Sequence, residues 1–520
     1  MCQLPEYFSG FIVSSPPILA QNLKTHIGMK KWILISVVLV AIITALQATI
    51  NYQTPDKKKT GDLPNVIFIL ADDLGFCELE CYGQSKIKTP HIDALAKNGI
   101  KFMQHYSGSA VCAPSRGTLL TGLHTGHAYI RNNGRFKDVK EGQRPLKAGT
   151  FTFAHLMKNA GYATSCVGKW GLGYPGSEGD PLNMGFDHFF GYNCQTHAHN
   201  YYPTYLWRNK EKVALDNPDF RSSQKFPQDA DPFDENQYSK YQGKEYASDL
   251  MGKEVLNFID SNKNKPFFIY YATPIPHVSL QIPEKDLIEY KGQFEEVPYN
   301  GRKGYLPHRY PRAAYAAMIS HLDRQVGQIV AKLKKEGIYD NTIIVFTSDN
   351  GSATNGGADI EFFKGVGALN GHKGNLFEGG IRAPMIASWP GHIQPGTTSN
   401  HVSAFWDVLP TLADLTGQEI PQCDGISYLP TLLGQADQQK QHPYLYWELG
   451  KSQAVRLGNW KAIRNWTNGI PGKTKLFDLS KDENETTNVA NENAQIVLKS
   501  EQIMDSRTPS EIRSWNFEAK

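Results

Sequence analysis

The chain lacks an apolar stretch long enough to cross a bilayer. Its longest, Trp32 to Leu46, stops short of the roughly 20 residues that a membrane helix needs. Cysteine is scarce, seven in 520 residues, which excludes a disulfide scaffold for a chain of this size. Cys77 and Cys81 have no second pair nearby, so a structural zinc site is excluded as well. Charge of one sign is also missing: 54 basic against 51 acidic side chains leave a formal net charge of +3. No global field therefore gathers nucleic acid or an anionic membrane, and any recognition of an anion must be local. Internal repeats are absent, so the chain is not a stacked array.

What remains is an ordinary globular composition, 40% hydrophobic and 20% charged, long enough for one large domain and a smaller one. Met29-Lys30-Lys31, the apolar run and Gln47-Ala48 have the order of a secretory signal peptide, so the protein is expected to be exported, periplasmic or secreted, with no stable membrane span in the mature form. The mixed polar character of the first 28 residues places the true start at Met29. No cysteine follows the run at a lipid-attachment position. The expected organisation is an N-terminal extension and signal peptide over 1–48, a linker over 49–63, a large domain over 64–434 and a small one over 435–520.

Asn65 to Leu70, Lys265 to Tyr271 and Thr342 to Phe346 read as strands buried on both faces, because their apolar runs do not alternate. Between them lie helical patterns, the clearest from Tyr315 to Lys335, with Met318, Leu322, Val326, Ile329 and Leu333 in register. The fold class is therefore α/β, a large mainly parallel sheet sandwiched by helices. Beyond about residue 435, short aromatic strands such as Tyr444 to Trp447 and Trp460 to Ile463, then a helix near Ala494 to Met504, indicate a smaller C-terminal α+β domain with an antiparallel sheet.

In open α/β sheets ligands gather at the carboxyl ends of strands. Asp72-Asp73 ends the first strand, and Ser348-Asp349-Asn350-Gly351 ends the Thr342 strand. One strand-end aspartate is ordinarily a cap or turn residue. Two such clusters at one sheet edge would repel each other without a cation, and an all-oxygen set suits Ca²⁺ or Mg²⁺.

The segment Cys112-Ala113-Pro114-Ser115-Arg116-Gly117-Thr118-Leu119-Leu120-Thr121-Gly122 resembles the signature of the formylglycine-dependent sulfatases, within the alkaline phosphatase superfamily. The likeness extends from Pro64 to Leu479. It implies that a formylglycine-generating or sulfatase-maturating enzyme oxidises Cys112 to an aldehyde whose hydrate attacks sulfur. It further implies that Asp72, Asp73, Asp349 and Asn350, with the modified Cys112, ligate the metal, calcium by family habit. Arg116 would hold the formylglycine, Lys169 and Lys373 would grip the sulfate oxygens, and His277 would protonate the leaving oxygen. Pro114 suits a first helical turn, whose positive end would face the anion.

One position departs from the pattern. Many relatives read Gly-Lys-Trp-His-Leu-Gly, with the histidine on the formylglycine hydrate, but this chain reads Gly168-Lys169-Trp170-Gly171-Leu172-Gly173. Candidates to fill the gap are His127, His197 and His199. Arg131 joins them as a substrate-binding candidate, and Tyr201, Tyr202, Trp207 and Arg208 as a possible sugar subsite. These segments look most like exported bacterial sulfatases acting on sulfated polysaccharide, with a galactose-type sugar favoured. Alternatives are a phosphoester hydrolase of the same superfamily, a non-catalytic sulfated-glycan-binding protein, and a thiol hydrolase using unmodified Cys112.

Overall fold

The computed structural model describes residues 63–518 except 137, 138, 140 and 303. Met29 and the Trp32 to Leu46 segment lie outside the described residues. Ten strands form one sheet in the order 397–399, 100–102, 385–388, 342–348, 65–72, 267–276, 163–169, 188–192, 205–208, 211–214. The five from 342–348 to 188–192 run parallel. Strand Met385–Ser388 on one side and strand Tyr205–Arg208 on the other pair antiparallel to this block.

Strand Asn65–Asp72 shows why the central runs are continuously apolar. Ile67, Ile69 and Ala71 enter a core built with helices Ala247–Asn262 and Pro311–Lys335. Val66, Phe68 and Leu70 enter a second core with helices Cys112–Thr121, Phe153–Asn159 and Val408–Thr416. Successive side chains point to opposite faces, and both faces are covered. The long helix begins at Pro311, four residues before the periodic pattern, because Pro is well placed in a first turn.

Strands Leu445–Leu449, Ser452–Leu457, Trp460–Thr467 and Lys475–Asp478 form an antiparallel C-terminal sheet. One face packs on helix Ala494–Asp505 through Tyr446, Val455, Ala462, Leu476 and Met504. The other packs Leu445, Trp447 and Ile463 against Tyr106, Ala110, Leu376 and Trp406. The segments bearing Ala110 and Leu376 lead to Cys112 and Lys373, so this sheet backs the site. Buried Lys461 reinforces the contact, with Nζ 2.8 Å from Glu378 Oε1 and 3.1 Å from Glu485 Oε1. No helix among the described residues is long and apolar enough to cross a membrane.

Candidate active site

Four adjacent parallel strands deliver residues to one edge. Strand 65–72 ends at Asp72-Asp73, strand 342–348 at Asp349-Asn350, strand 267–276 at His277, and strand 163–169 at Lys169. The register pairs Ala71 with Ser348, and Asp349 N donates to Ala71 O at 3.1 Å, which sets the two acidic pairs side by side.

Cys112 is the first residue of helix Cys112–Thr121 and is buried. Pro114 sits in the first turn, where a missing N–H costs nothing. The Ala113 N–H donates to Asn133 Oδ1 at 3.0 Å. Cys112 Sγ lies 3.4 Å from Asp72 Oδ1, 3.4 Å from Lys169 Nζ and 3.6 Å from Lys373 Nζ. Burial, with Asp349 and Asp72 nearby, pushes this thiol above its ordinary range, so an unmodified Cys112 is a poor source of thiolate.

The carboxylates are matched by cations. Lys169 Nζ donates to Asp72 Oδ2 and Lys373 Nζ to Asp73 Oδ2, both at 2.6 Å. Burial alone would raise Asp72, but Lys169, His277, Arg116 and Lys373 together hold it below the usual carboxylate range. Arg116 donates to Asp349 Oδ2 from Nε at 3.0 Å and from Nη2 at 2.8 Å, and to the Lys169 carbonyl from Nη1 at 2.6 Å. In this arrangement the guanidinium grips a carboxylate and a neighbouring backbone, rather than residue 112 itself.

The oxygen donors of Asp72, Asp73 and Asn350 fit a hard divalent cation. Donor atoms of Asp72, Asp73, Cys112 and His277 all lie within 4.8 Å of one another. Asn350 Nδ2 donates to Asp73 Oδ1 at 2.7 Å, while Asn350 Oδ1 is buried without a hydrogen-bond partner. An orphan acceptor among three carboxylates is what an oxygen-ligated cation would satisfy.

Beyond the acids stands an aromatic wall. His277 Nε2 is 3.6 Å from Asp73 Oδ2, and His277 Nδ1 donates to the Val278 carbonyl. The ring of His199 stacks on His277, centroids 4.8 Å apart at 10°. Burial and the adjacent lysines hold both imidazoles well below their ordinary range. Tyr305 lies edge-on to both rings, at 5.1 Å and 5.8 Å.

Of the three histidines considered for the Gly171 gap, His199 alone adjoins this cluster through a ring contact. His127 bonds Asp424 Oδ1 at 2.8 Å, and Asp424 N donates to Gly122 O at the far end of the Cys112 helix, roughly 15 Å away for ten residues. This placement removes His127 from the site. The neighbouring His124 accepts the Gly126 N–H on Nδ1, so Nε2 carries the proton and the two histidines are not a ready metal pair. Arg131 is also corrected: its Nη1 donates to Glu448 Oε1 at 3.0 Å and Thr508 O at 2.7 Å, a buried tie to the C-terminal sheet. His197 packs on Tyr192 and Tyr205 and lies 3.9 Å from Glu141, contacts at the sheet edge. Tyr201 and Tyr202 belong to the core, Trp207 donates to Glu141, and Arg208 pairs with Glu254, so they do not form the sugar subsite considered above.

Sequence reasoning missed Tyr305, Gln195 and Asn133, which come from loops without periodicity. Gln195 Nε2 donates to Asn133 Oδ1 at 3.4 Å, and its side chain covers Gly171. The only sequence signal for Gln195 was the glycine itself, an opening that some other side chain had to fill.

Amines able to hold an anion, facing an oxygen-rich pocket at the carboxyl edge of a covered parallel sheet, define a hydrolase of anionic esters. A family model described as Sulfatase matches residues 64–418, and one described as N-sulphoglucosamine sulphohydrolase, C-terminal, matches residues 372–507. The chain belongs to the sulfatase family and is a sulfuric ester hydrolase acting on sulfated sugars. It is 30% identical to the N-acetylgalactosamine-6-sulfatase of Mus musculus, covering 84% of this chain and 79% of the relative. It is 29% identical to the N-acetylgalactosamine-6-O-sulfatase of Bacteroides thetaiotaomicron, covering 87% and 94%. Among solved structures, Ps i-CgsB in complex with k-i-k-neocarrahexaose matches with a TM-score of 0.69 and 27% identity, over 88% of this chain and 94% of that one.

Proposed function

We propose that the protein is an exported sulfatase that removes sulfate from a galactose-type sugar of a sulfated polysaccharide. Its nucleophile is made from Cys112 by oxidation to formylglycine, and Asp72, Asp73, Asp349 and Asn350 hold a divalent cation, calcium with magnesium as the alternative, beside that residue. The carrying observation is the position of Cys112, buried at a helix start with two lysine amines and an aspartate within 3.6 Å of its sulfur. The galactose preference is supported by the two galactosamine sulfatases and by the neocarrahexaose complex. The basic and apolar order of Met29 to Leu46 supports export. Residues 64–434 are assigned as the catalytic domain and 435–520 as the small domain that backs it.

When present, the hydrated aldehyde supplies a nucleophilic oxygen with a second hydroxyl in reserve, and the cation polarises the sulfate. The chain's own residues do the rest. Lys169 and Lys373 place positive charge where the sulfate oxygens bind, in a water-poor site that strengthens the attraction. Arg116 fixes Asp349 with two hydrogen bonds and so keeps the acidic pocket in shape. Because His277 Nδ1 donates to a carbonyl, Nε2 brings a proton to the leaving oxygen only as imidazolium, a form that burial and the two lysines oppose and that the negative charge of a bound sulfate favours.

The test is sulfate release from defined sulfated mono- and oligosaccharides by enzyme co-expressed with a maturation enzyme. Release from galactose-type esters, lost on chelation, is expected. Binding without release by fully converted protein would favour a glycan-binding protein instead.

A further inference from the structure

Tyr305 has a left-handed backbone, φ 63°, a conformation that a bulky side chain adopts only when its surroundings hold it there. The surroundings do so. Tyr299 and His308 exchange backbone hydrogen bonds of 2.9 Å in both directions, closing the loop between them. Ser279 Oγ accepts the Leu306 N–H at 3.1 Å and donates to the His199 carbonyl at 2.9 Å, tying the loop to the imidazole wall. The result is a tyrosine ring, partly exposed, standing against His199 and His277 on the leaving-group side.

The same loop continues into a cavity of about 570 Å³ between Asn300 and Arg302 on one side and Lys225, Phe226 and Gln228 on the other. Phe226 N donates to Asn300 O at 3.1 Å, which joins the two walls. Among the described residues the charges lining this cavity are Lys225 and Arg302, both positive; Gln228 and Asn300 add amides, and Phe226 with two prolines and an alanine supplies apolar surface, a lining suited to a sugar with an anionic group.

We propose that Asn300, Arg302 and Tyr305, carried between Tyr299 and His308, are saccharide-reading residues of the enzyme. Tyr305 orients the sugar that loses its sulfate, and the Lys225–Arg302 cavity takes an anionic substituent, sulfate or carboxylate, on a neighbouring sugar of the same chain. This rests on the reading of the substrate as a sulfated saccharide. The enzyme then distinguishes an anionic oligosaccharide from its sulfated monosaccharide unit by more than the scissile ester.

The experiment compares kcat/KM of matured enzyme on a sulfated galactose, on a galactose-based tetrasaccharide with sulfate on adjacent sugars, and on 4-methylumbelliferyl sulfate. The double variant K225A/R302A should lose at least tenfold on the tetrasaccharide, through KM, and its loss on the aryl ester should be smaller by a similar factor. Y305G, which suits the left-handed backbone but removes packing against the core, is compared per folded molecule and should lose on both saccharides more than on the aryl ester. Equal losses on all three substrates, or no loss, would overturn the inference while leaving the sulfatase intact. Release from no saccharide by the unaltered enzyme would overturn the functional reading and this inference with it.

Discussion

The side chain of Gln195 occupies the space into which a side chain at position 171 would project: a methyl group added to Gly171 would lie 2.8 Å from Gln195 Cγ. Gly171 also has φ 77°, which disfavours any side chain. Gly171 and Gln195 therefore share one space, and Gln195 is linked through Asn133 to the Ala113 N–H beside Cys112. G171A should cost about 1–3 kcal/mol of stability from backbone strain and crowding. G171A/Q195A should recover the crowding share and leave the strain. Thermal unfolding of the three proteins checks this, and strictly additive effects would count against the steric coupling.

Arg131 tests the distinction between structure and substrate binding. Its guanidinium is buried against Glu448 and the Thr508 carbonyl, so R131A removes one of the two arginines on Glu448, leaving Arg507 and the Tyr446 hydroxyl, and should cost roughly 1–3 kcal/mol. Per folded molecule, KM for saccharide should be unchanged. A raised KM with wild-type stability would restore the substrate-binding role.

Asp323 gives the fold a pH dependence away from the site. Burial pushes its carboxyl up to about 7, with Asp93 adding to the rise while the Ile92 and His91 N–H groups and Arg324 oppose it. The folded state thus keeps this proton where the unfolded chain has released it. Stability from this group is full below the ordinary aspartate range and is lost as pH rises through about 7. D323N, which cannot ionise, should gain stability relative to the parent between pH 5 and pH 8, as measured by denaturant unfolding at each pH. A constant difference would contradict the assignment.

The orphan Asn350 oxygen and the three carboxylates predict stabilisation by a cation. Calcium at 100 times its Kd should add about 2.7 kcal/mol to unfolding stability. N350A should weaken the calcium-dependent shift in Tm, and chelation should abolish sulfate release. An equal shift in N350A would place the cation elsewhere.

Much of this was legible in sequence for a physical reason. Strands covered on both faces must be apolar throughout, so Asn65 to Leu70 and Thr342 to Phe346 stand out, and polar residues that follow such strands stand at the ligand-binding edge. That logic places Asp72, Asp73 and Asp349 together, whereas Lys169 is reached only through the resemblance to the sulfatases. The loops carry no period, so the closeness of Tyr305, His199 and His277 is set by contacts that local sequence does not encode. Arg131 was misread because its partner Glu448 lies 317 residues away, and a basic residue in a histidine-rich loop has the same appearance whether it binds substrate or braces a domain.

The central claim is that the nucleophile is derived from Cys112. Trypsin cuts after Lys101 and Arg116, releasing residue 112 in the peptide 102–116. In enzyme that releases sulfate, this peptide should be lighter than its thiol form by about 18 Da, the change when a thiol becomes an aldehyde. An unmodified thiol in protein that turns over sulfate esters at full rate would contradict the account.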